Sequence, residues 1–457
     1  MEHRASPGLI AGLNAGIAAK GTTWLAFLYL AVCFFLAVHD PMASTWNVNR
    51  GGKAFAETAG SGSMQRQISF AMLSLFGLFY LPRWKRSDLE KQGAIAWSAL
   101  LLTGWTILSF LWSEAPGSSR GRVLGLLVLI LVAVGVCIRF KPQEIVQWCG
   151  LTTVVFMVIG VLCEVSLGTF HPGGGGYRFG GTVSPNEQGV NCALAVIASW
   201  YLWRKHPRNL FWCGAALSGF VMCILTKSRS SLIGLVAALL IAQILNLRQW
   251  RTKVLIGCTV GVLACALGWL EWNGIVDLGD LVQMGREKDS TPSESLSGRL
   301  PLWTELIEIQ GPHPFLGHGF GGFWTPERIT DISRDQDWGV SAAHCAYLDL
   351  EIGLGPIGVC LFALTLLLAI RRGLGVASAN PDHWVAAYFS TVLFFCLVDG
   401  ITDSGPVEIS AFLCFSLILS VVYLGFCPSP ESASPAAEVT RRTHPASGIG
   451  SECTSFS

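Results

Sequence analysis

Apolar runs recur along this chain, each continuous rather than striped, with short polar connections between them. A segment that is apolar all round is not the surface helix of a soluble domain, and one of roughly 17–25 residues matches the hydrocarbon core of a bilayer. The pattern predicts spans near 22–38, 67–82, 94–112, 121–139, 145–167, 188–203, 209–226, 230–246, 253–271, 346–370, 384–400 and 407–426. The fold expected is an all-α integral membrane protein of about twelve transmembrane helices. One connection is far longer than the rest: residues 272–345 separate the ninth run from the tenth and read as a large loop at one membrane face, holding short helices. The expected organisation is thus nine spans over 1–271, the loop over 272–345, three spans over 346–427, and a tail over 428–457. That tail is rich in Ser, Pro and Ala and has the composition of a disordered terminus.

Composition agrees with this pattern. Mean hydropathy is +0.51, and charged residues make up 13% of the chain, about half the usual share of a soluble protein. The net charge of +1 comes with no contiguous basic face, so a nucleic-acid partner is not expected and bilayer lipid is. Lys and Arg in the short connections set the orientation, because cytoplasmic loops retain positive charge. With both ends inside, the inner connections hold Arg83, Lys85, Arg86 and Lys91, then Arg139 and Lys141, then Arg204, Lys205 and Arg208, then Arg248, Arg251 and Lys253, then Arg371 and Arg372. The long loop then lies on the far side, which in a bacterium is the periplasm. No small-residue cleavage site cleanly follows the first run, which reads as a retained anchor. Most of the fifteen cysteines lie within apolar runs, where the thiol behaves as a small hydrophobe, and without a C-x-x-C pair no structural zinc or other metal site is expected.

Two outward connections break the charge bias. In Thr226-Lys227-Ser228-Arg229-Ser230-Ser231, small hydroxyl residues surround Arg229 and leave its planar fork of donors suited to a phosphate or pyrophosphate. An arginine meeting lipid headgroups is the plainer reading of the same spacing. The second is the loop itself. Pro301 is tolerated in a first helical turn, so Arg299 is placed at a helix start, with Trp303 one turn on, where its ring could stack on the guanidinium. The glycines of His313-Pro314-Phe315-Leu316-Gly317-His318-Gly319-Phe320-Gly321-Gly322-Phe323 allow close backbone approach, either to a ligand or to another segment. His344 opens the tenth run and is the side chain best suited to take a proton near neutral pH. Glu351, seven residues on, would share its face of a helix while Asp349 points elsewhere, and Glu351 reads as a functional group or as a structural partner for an arginine.

These residues resemble the O-antigen ligase and polymerase family of polytopic bacterial membrane proteins. The resemblance rests on His344-Cys345, nine residues and then Gly355-Pro356-Ile357-Gly358, with Ser228-Arg229, Gly298-Arg299, Trp303 and the glycine-rich stretch in the expected order before it, and is clearest from about Thr226 to Leu361. It implies a lipid-carrier-dependent glycosyltransferase of the cytoplasmic membrane, with its active site facing the periplasm and no nucleotide, metal or other cofactor. Carried onto this chain, His344 activates an acceptor hydroxyl of a lipid or glycan, and Arg229 and Arg299 bind the pyrophosphate of an undecaprenyl-linked glycan donor, with Ser228 beside Arg229. Asn186, at the start of the sixth span after Gly173–Gly176 and Tyr177-Arg178, resembles the family's Asn in that place; contact with substrate and a merely flexible loop are the two readings of Asn186 and Arg178. Cys345 departs from the pattern, which has Asn, Ser or Gln after the histidine. The rival class is a transporter or flippase, for which a twelve-span layout is ordinary. Here, however, the polar residues gather at one face rather than the midplane, and no repeat relates the two halves.

Overall fold

A computed structural model describes residues 7–38, 64–83, 93–174, 177–246, 299–311, 315–379 and 383–426. The ninth expected span, residues 272–298 of the long loop, and the tail lie outside the described residues. Helices α1 (Pro7–Val38), α2 (Met64–Tyr80), α3 (Gly93–Leu108), α4 (Pro116–Arg139), α5 (Pro142–Ser166), α6 (Pro185–Lys205), α7 (Leu210–Leu225) and α8 (Arg229–Asn246) precede the long loop. Two shorter helices, α9 (Arg299–Gln310) and α10 (Pro326–Asp335), fall within it, and α11 (Ala346–Ala379), α12 (Trp384–Asp399) and α13 (Phe412–Phe426) follow. Every expected run other than 253–271 coincides with one of these helices. By length and apolarity five of them suffice to cross a bilayer, the cores of α1, α4, α5 and α11 and the stretch Gly93–Trp112 that α3 opens, and α7, α8, α12 and α13 are shorter apolar helices. The chain is an integral membrane protein.

Local chemistry sets the helix starts. Proline occupies the first turn of α4, α5, α6 and α10, where its missing N–H costs nothing. Ahead of α6, Ser184 Oγ accepts from the Glu187 N–H at 3.2 Å while Glu187 Oε2 accepts from the Ser184 N–H at 3.3 Å, a reciprocal cap that satisfies two orphan donors. α6 is buried along most of its length between α5 and α7. Its polar side chains Gln188, Asn191 and Ser199 are inside, which explains why its hydropathy signal is weak although it sits at the centre of the bundle.

The long loop is not a loose excursion. A second small core of Leu302, Leu306, Phe323, Trp324, Ile329, Ile332 and Val340 packs α9 and α10 onto Leu348 and Ile352 of α11. The glycine-rich stretch docks where α11 is broken. At Gly355 the backbone adopts φ 67°, ψ −178°, and Pro356 follows without an N–H. The carbonyls that lose their helical donors are taken up by neighbours: Ile352 accepts from the His318 N–H at 2.8 Å, Glu351 from the Gln310 amide at 3.2 Å, and Leu354 from the Trp105 indole at 2.9 Å. Non-helical backbone at membrane depth persists only when its polar groups are satisfied in this way. The stretch is clamped from its other side by Glu114, whose carboxylate meets His318 Nδ1 at 2.7 Å and Arg328 at 2.6 Å. Burial alone would raise the Glu114 carboxyl, but these two partners outweigh it and hold it below its ordinary range.

Candidate functional site

Three connections converge at the end of the bundle that carries the loop. The first is the turn between α7 and α8. Lys227 turns the chain at φ 50°, Thr226 Oγ1 donates to the Cys223 carbonyl at 2.7 Å and receives the Ser228 N–H at 3.1 Å, and Ser228 Oγ meets Ser231 Oγ at 2.9 Å. These hydroxyls crowd over Gly189 of α6, where a Cβ would lie 2.8 Å from the Ser228 Cβ. Ser228 is therefore a buried structural hydroxyl, and the turn it builds makes Arg229 the first residue of α8. The loop before α6 braces this turn. Arg178 Nη2 donates to Asn186 Oδ1 at 2.8 Å and its Nε to the Thr226 carbonyl at 3.0 Å. Asn186 thus holds the α7–α8 turn in place through Arg178. Glu164, buried at the end of α5, orders the same loop by accepting from Tyr177 at 2.5 Å and from the N–H groups of Gly180 and Gly181 at 2.9 and 2.7 Å.

The second connection brings in Arg299, the first residue of α9, as the Pro301 spacing predicts. The ring contact expected from Trp303 is not among the cation–π pairs of the described residues. The indole N–H donates instead to the Ala343 carbonyl at 2.8 Å. Trp303 steadies the residue before His344 rather than the guanidinium.

The third connection is the approach to α11. His344 does not begin that helix: it lies two residues ahead of Ala346 in the left-handed region, at φ 50°. That conformation is sparsely populated for a residue with a Cβ and persists only where the surroundings fix it. They do so on both sides. Ahead of it, the Ala343 N–H donates to Asp349 at 3.1 Å and the Ala343 carbonyl receives Trp303. After it, the Ala346 N–H donates to the carbonyls of Gly400 and Asp403 at 2.8 and 3.1 Å. The imidazole packs against Trp338, with ring centroids 5.3 Å apart and planes tilted by 37°.

The helical-face argument for Glu351 fails, because His344 is outside the helix. Glu351 is exposed, and its backbone carbonyl rather than its carboxylate makes the contact with Gln310. The acidic residues near His344 come from elsewhere. Asp399 closes α12, fully buried, and Asp403 follows in the connection to α13. Burial lowers the His344 pKa below its ordinary 6.5, the Asp403 carboxylate pulls it up, and the Arg299 guanidinium pushes it down. Burial also lowers the Arg299 pKa, with Asp403 and Asp399 opposing this and Arg229 reinforcing it. An arginine so perturbed remains a cation at any physiological pH. Arg229, Arg299, His344, Asp399 and Asp403 therefore share one electrostatic field, with Cys345 half-buried at its edge. Burial raises the Cys345 thiol, so it is a poor nucleophile in this setting.

Such an arrangement offers two fixed cations for a dianionic group and a neutral imidazole beside them to take a proton. Asp399 and Asp403 escaped the sequence reading although a signal existed: two carboxylates four residues apart at the end of an apolar run are costly at a membrane edge unless they have work to do. Asp349 escaped because its helical direction was reckoned from His344. Among the described residues, no cluster of three His, Cys, Asp or Glu side chains is placed to hold a metal ion.

Comparison with known proteins gives the same direction. Residues 213–363 match the family model described as O-antigen ligase, a stretch that contains Arg229, Arg299 and His344. The chain is also 24% identical over 341 residues to the exopolysaccharide production protein ExoQ of Rhizobium meliloti (strain 1021), an alignment covering 68% of this chain and 74% of that protein. The two findings support the O-antigen ligase and polymerase-like family and, with the apolar helices, a membrane protein of polysaccharide biosynthesis.

Proposed function

We propose that this protein is a membrane glycosyltransferase that moves a glycan from an undecaprenyl-pyrophosphate carrier to an acceptor hydroxyl at the periplasmic face of the bacterial cytoplasmic membrane. The observation that supports this reading is that Arg229, Arg299 and His344, carried by three separate connections, lie close enough to act on one another electrostatically, Arg229 on Arg299 and Arg299 on His344. Twelve spans with both ends inside, the arrangement the charge bias supports, would put these residues on the outer side of the cytoplasmic membrane.

The acceptor oxygen attacks the anomeric carbon as its proton passes to the neutral imidazole of His344. The new carbon–oxygen bond forms as the bond from the anomeric carbon to the pyrophosphate oxygen breaks, with inversion. The leaving oxygen takes the electron pair, and its growing negative charge is met by Arg229 and Arg299, whose fixed charges stabilise it without reorganisation. Burial keeps the imidazole unprotonated between turnovers, which is the form a base needs. No bound cofactor enters these steps.

Cells lacking the protein test the reading through their glycans. Long chains stranded on the carrier identify a ligase, whereas loss of long chains identifies a polymerase. An unchanged glycan profile overturns the proposal. The relative's name, an exopolysaccharide production protein, favours a polymer-forming role for this chain. At the level of residues, Arg229→Lys is expected to lower kcat/KM by about 10- to 100-fold, since a point charge replaces a bidentate fork and about 1.5–3 kcal/mol of charge-assisted hydrogen bonding is lost. Wild-type kinetics in that variant, measured with a lipid-linked donor, would make Arg229 a lipid anchor.

A further inference from the structure

Asp349 lies in the first turns of α11 and contacts three separate pieces of the site's framework. Its Oδ1 and Oδ2 accept from the Ala343 N–H at 3.1 and 3.2 Å, Oδ1 also accepts from the Trp324 indole at 3.0 Å, and Oδ2 receives the Ser404 hydroxyl. Ala343 is the residue before His344. Ser404 follows Asp403, the carboxylate whose charge acts on His344 and Arg299. Trp324 belongs to the small core under α9 and α10. Asp349 is half-buried beside Arg122 and Glu408, and its acceptor sites are filled by donors from three separate segments, two of which adjoin His344 and Asp403.

We infer that Asp349 is a positioning residue for transfer, a clasp that fixes the left-handed backbone at His344 and the loop bearing Asp403 in one mutual arrangement. The inference rests on the proposed role of His344. Its geometry is unusual in that one side chain sets the proton acceptor and its acidic neighbour together, although it touches neither ring nor carboxylate. Breaking the clasp frees the Ala343 N–H and the Ser404 hydroxyl. The His344 backbone can then relax from φ 50° toward the broadly allowed regions, which swings the imidazole away from the reacting oxygen. Arg229 and Arg299 are carried by other elements, the starts of α8 and α9, and Asp349 reaches them only indirectly, through the Asp403 charge and the core beneath α9, whereas it bonds the residue next to His344 directly. The loss therefore falls on kcat rather than on KM.

The experiment is steady-state transfer kinetics on the purified full-length protein with a lipid-linked oligosaccharide donor, for D349A, D349N and H344A side by side. D349A should lower kcat at least tenfold with KM for the donor within twofold of wild type. D349N preserves shape and the one acceptor oxygen that Ala343 and Trp324 both use, and Ser404 can turn to accept from its amide, so its kcat should lie within about threefold of wild type. Wild-type kcat in D349A, a loss confined to KM, or a D349N as impaired as D349A would each overturn the clasp. Should D349A fail to fold, W324F and S404A each remove one donor to the same carboxylate. Both are expected to lower kcat two- to fivefold at unchanged KM, and wild-type kcat in both overturns the inference. H344A separates the two readings. An active H344A removes the base itself, whereas an inactive H344A beside a fully active D349A removes the clasp alone.

Discussion

His344→Ala is expected to abolish glycan transfer while leaving the protein folded and able to bind donor. A positioned general base contributes about 10²–10⁴ in rate, and among the described residues no second imidazole acts on Arg299 or His344 to replace it. The variant should elute with wild type in detergent and retain its thermal transition, because His344 makes its packing contact through one ring, against Trp338, while the turn is held by the backbone contacts of Ala343 and Ala346. Product from His344→Ala at the wild-type rate would remove the mechanism.

The pH profile gives a second reading of the same group. A base must be neutral to act, so activity is lost as pH falls through its folded pKa. Burial, the largest cause, and then Arg299 lower that pKa, and Asp403 only partly restores it, so the acid limb should lie below the 6.5 of an ordinary imidazole. Asp403→Asn removes the one upward pull and should move the acid limb to still lower pH. A limb that moves up, or does not move, would show that Asp403 does not face the base.

Gly355→Ala is expected to cost most of the protein's stability. At φ 67°, ψ −178° a residue with a Cβ is strained wherever it lies, by about 1–3 kcal/mol. The added carbon would also lie 2.0 Å from the Phe315 carbonyl oxygen and 2.6 Å from its carbon, so backbone must move. Backbone movement there disturbs the bonds of His318, Gln310 and Trp105 to the opened carbonyls of α11. Together these effects reach roughly 4 kcal/mol or more, the range of exceptional single substitutions. The matching control is Gly104→Ala in α3, where a Cβ meets nothing within 4 Å and a helical interior favours Ala by about 0.5–1 kcal/mol. Thermal unfolding in detergent, followed by loss of the monodisperse peak, should separate the two substitutions clearly. Equal transition temperatures would mean that the break in α11 is not a structural requirement.

The histidine with G-x-x-G spacing that suggests a family is, on this account, a record of two different constraints. His344 answers to chemistry in the mechanism proposed above. Gly355 is there because the glycine-rich stretch before α10 presses its backbone against the broken helix, and no other residue tolerates both the conformation and the contact. The glycines of that stretch turned out to serve contact with another segment, one of the two readings their sequence allowed.

Hydropathy determined that the chain is helical and built for a bilayer, because backbone polar groups in hydrocarbon must be satisfied within the chain, and repeated continuous apolar runs of about 17–25 residues do so as helices rather than as the alternating strands of a barrel. A proline two residues on, a local signal read from neighbours in sequence, placed Arg299 at a helix start, whereas Arg229 read only as part of a short turn and the structure made it the first residue of α8. Which acidic residues join them was decided only by the tertiary structure. Asp403, Asp399 and Asp349 reach the histidine's surroundings across helix ends and long connections, and a side chain's direction depends on where its helix starts. Reckoned from His344, Glu351 seemed to share its face and Asp349 to point away. With α11 starting at Ala346, and His344 held outside it by backbone bonds from distant carbonyls, the two carboxylates exchange places.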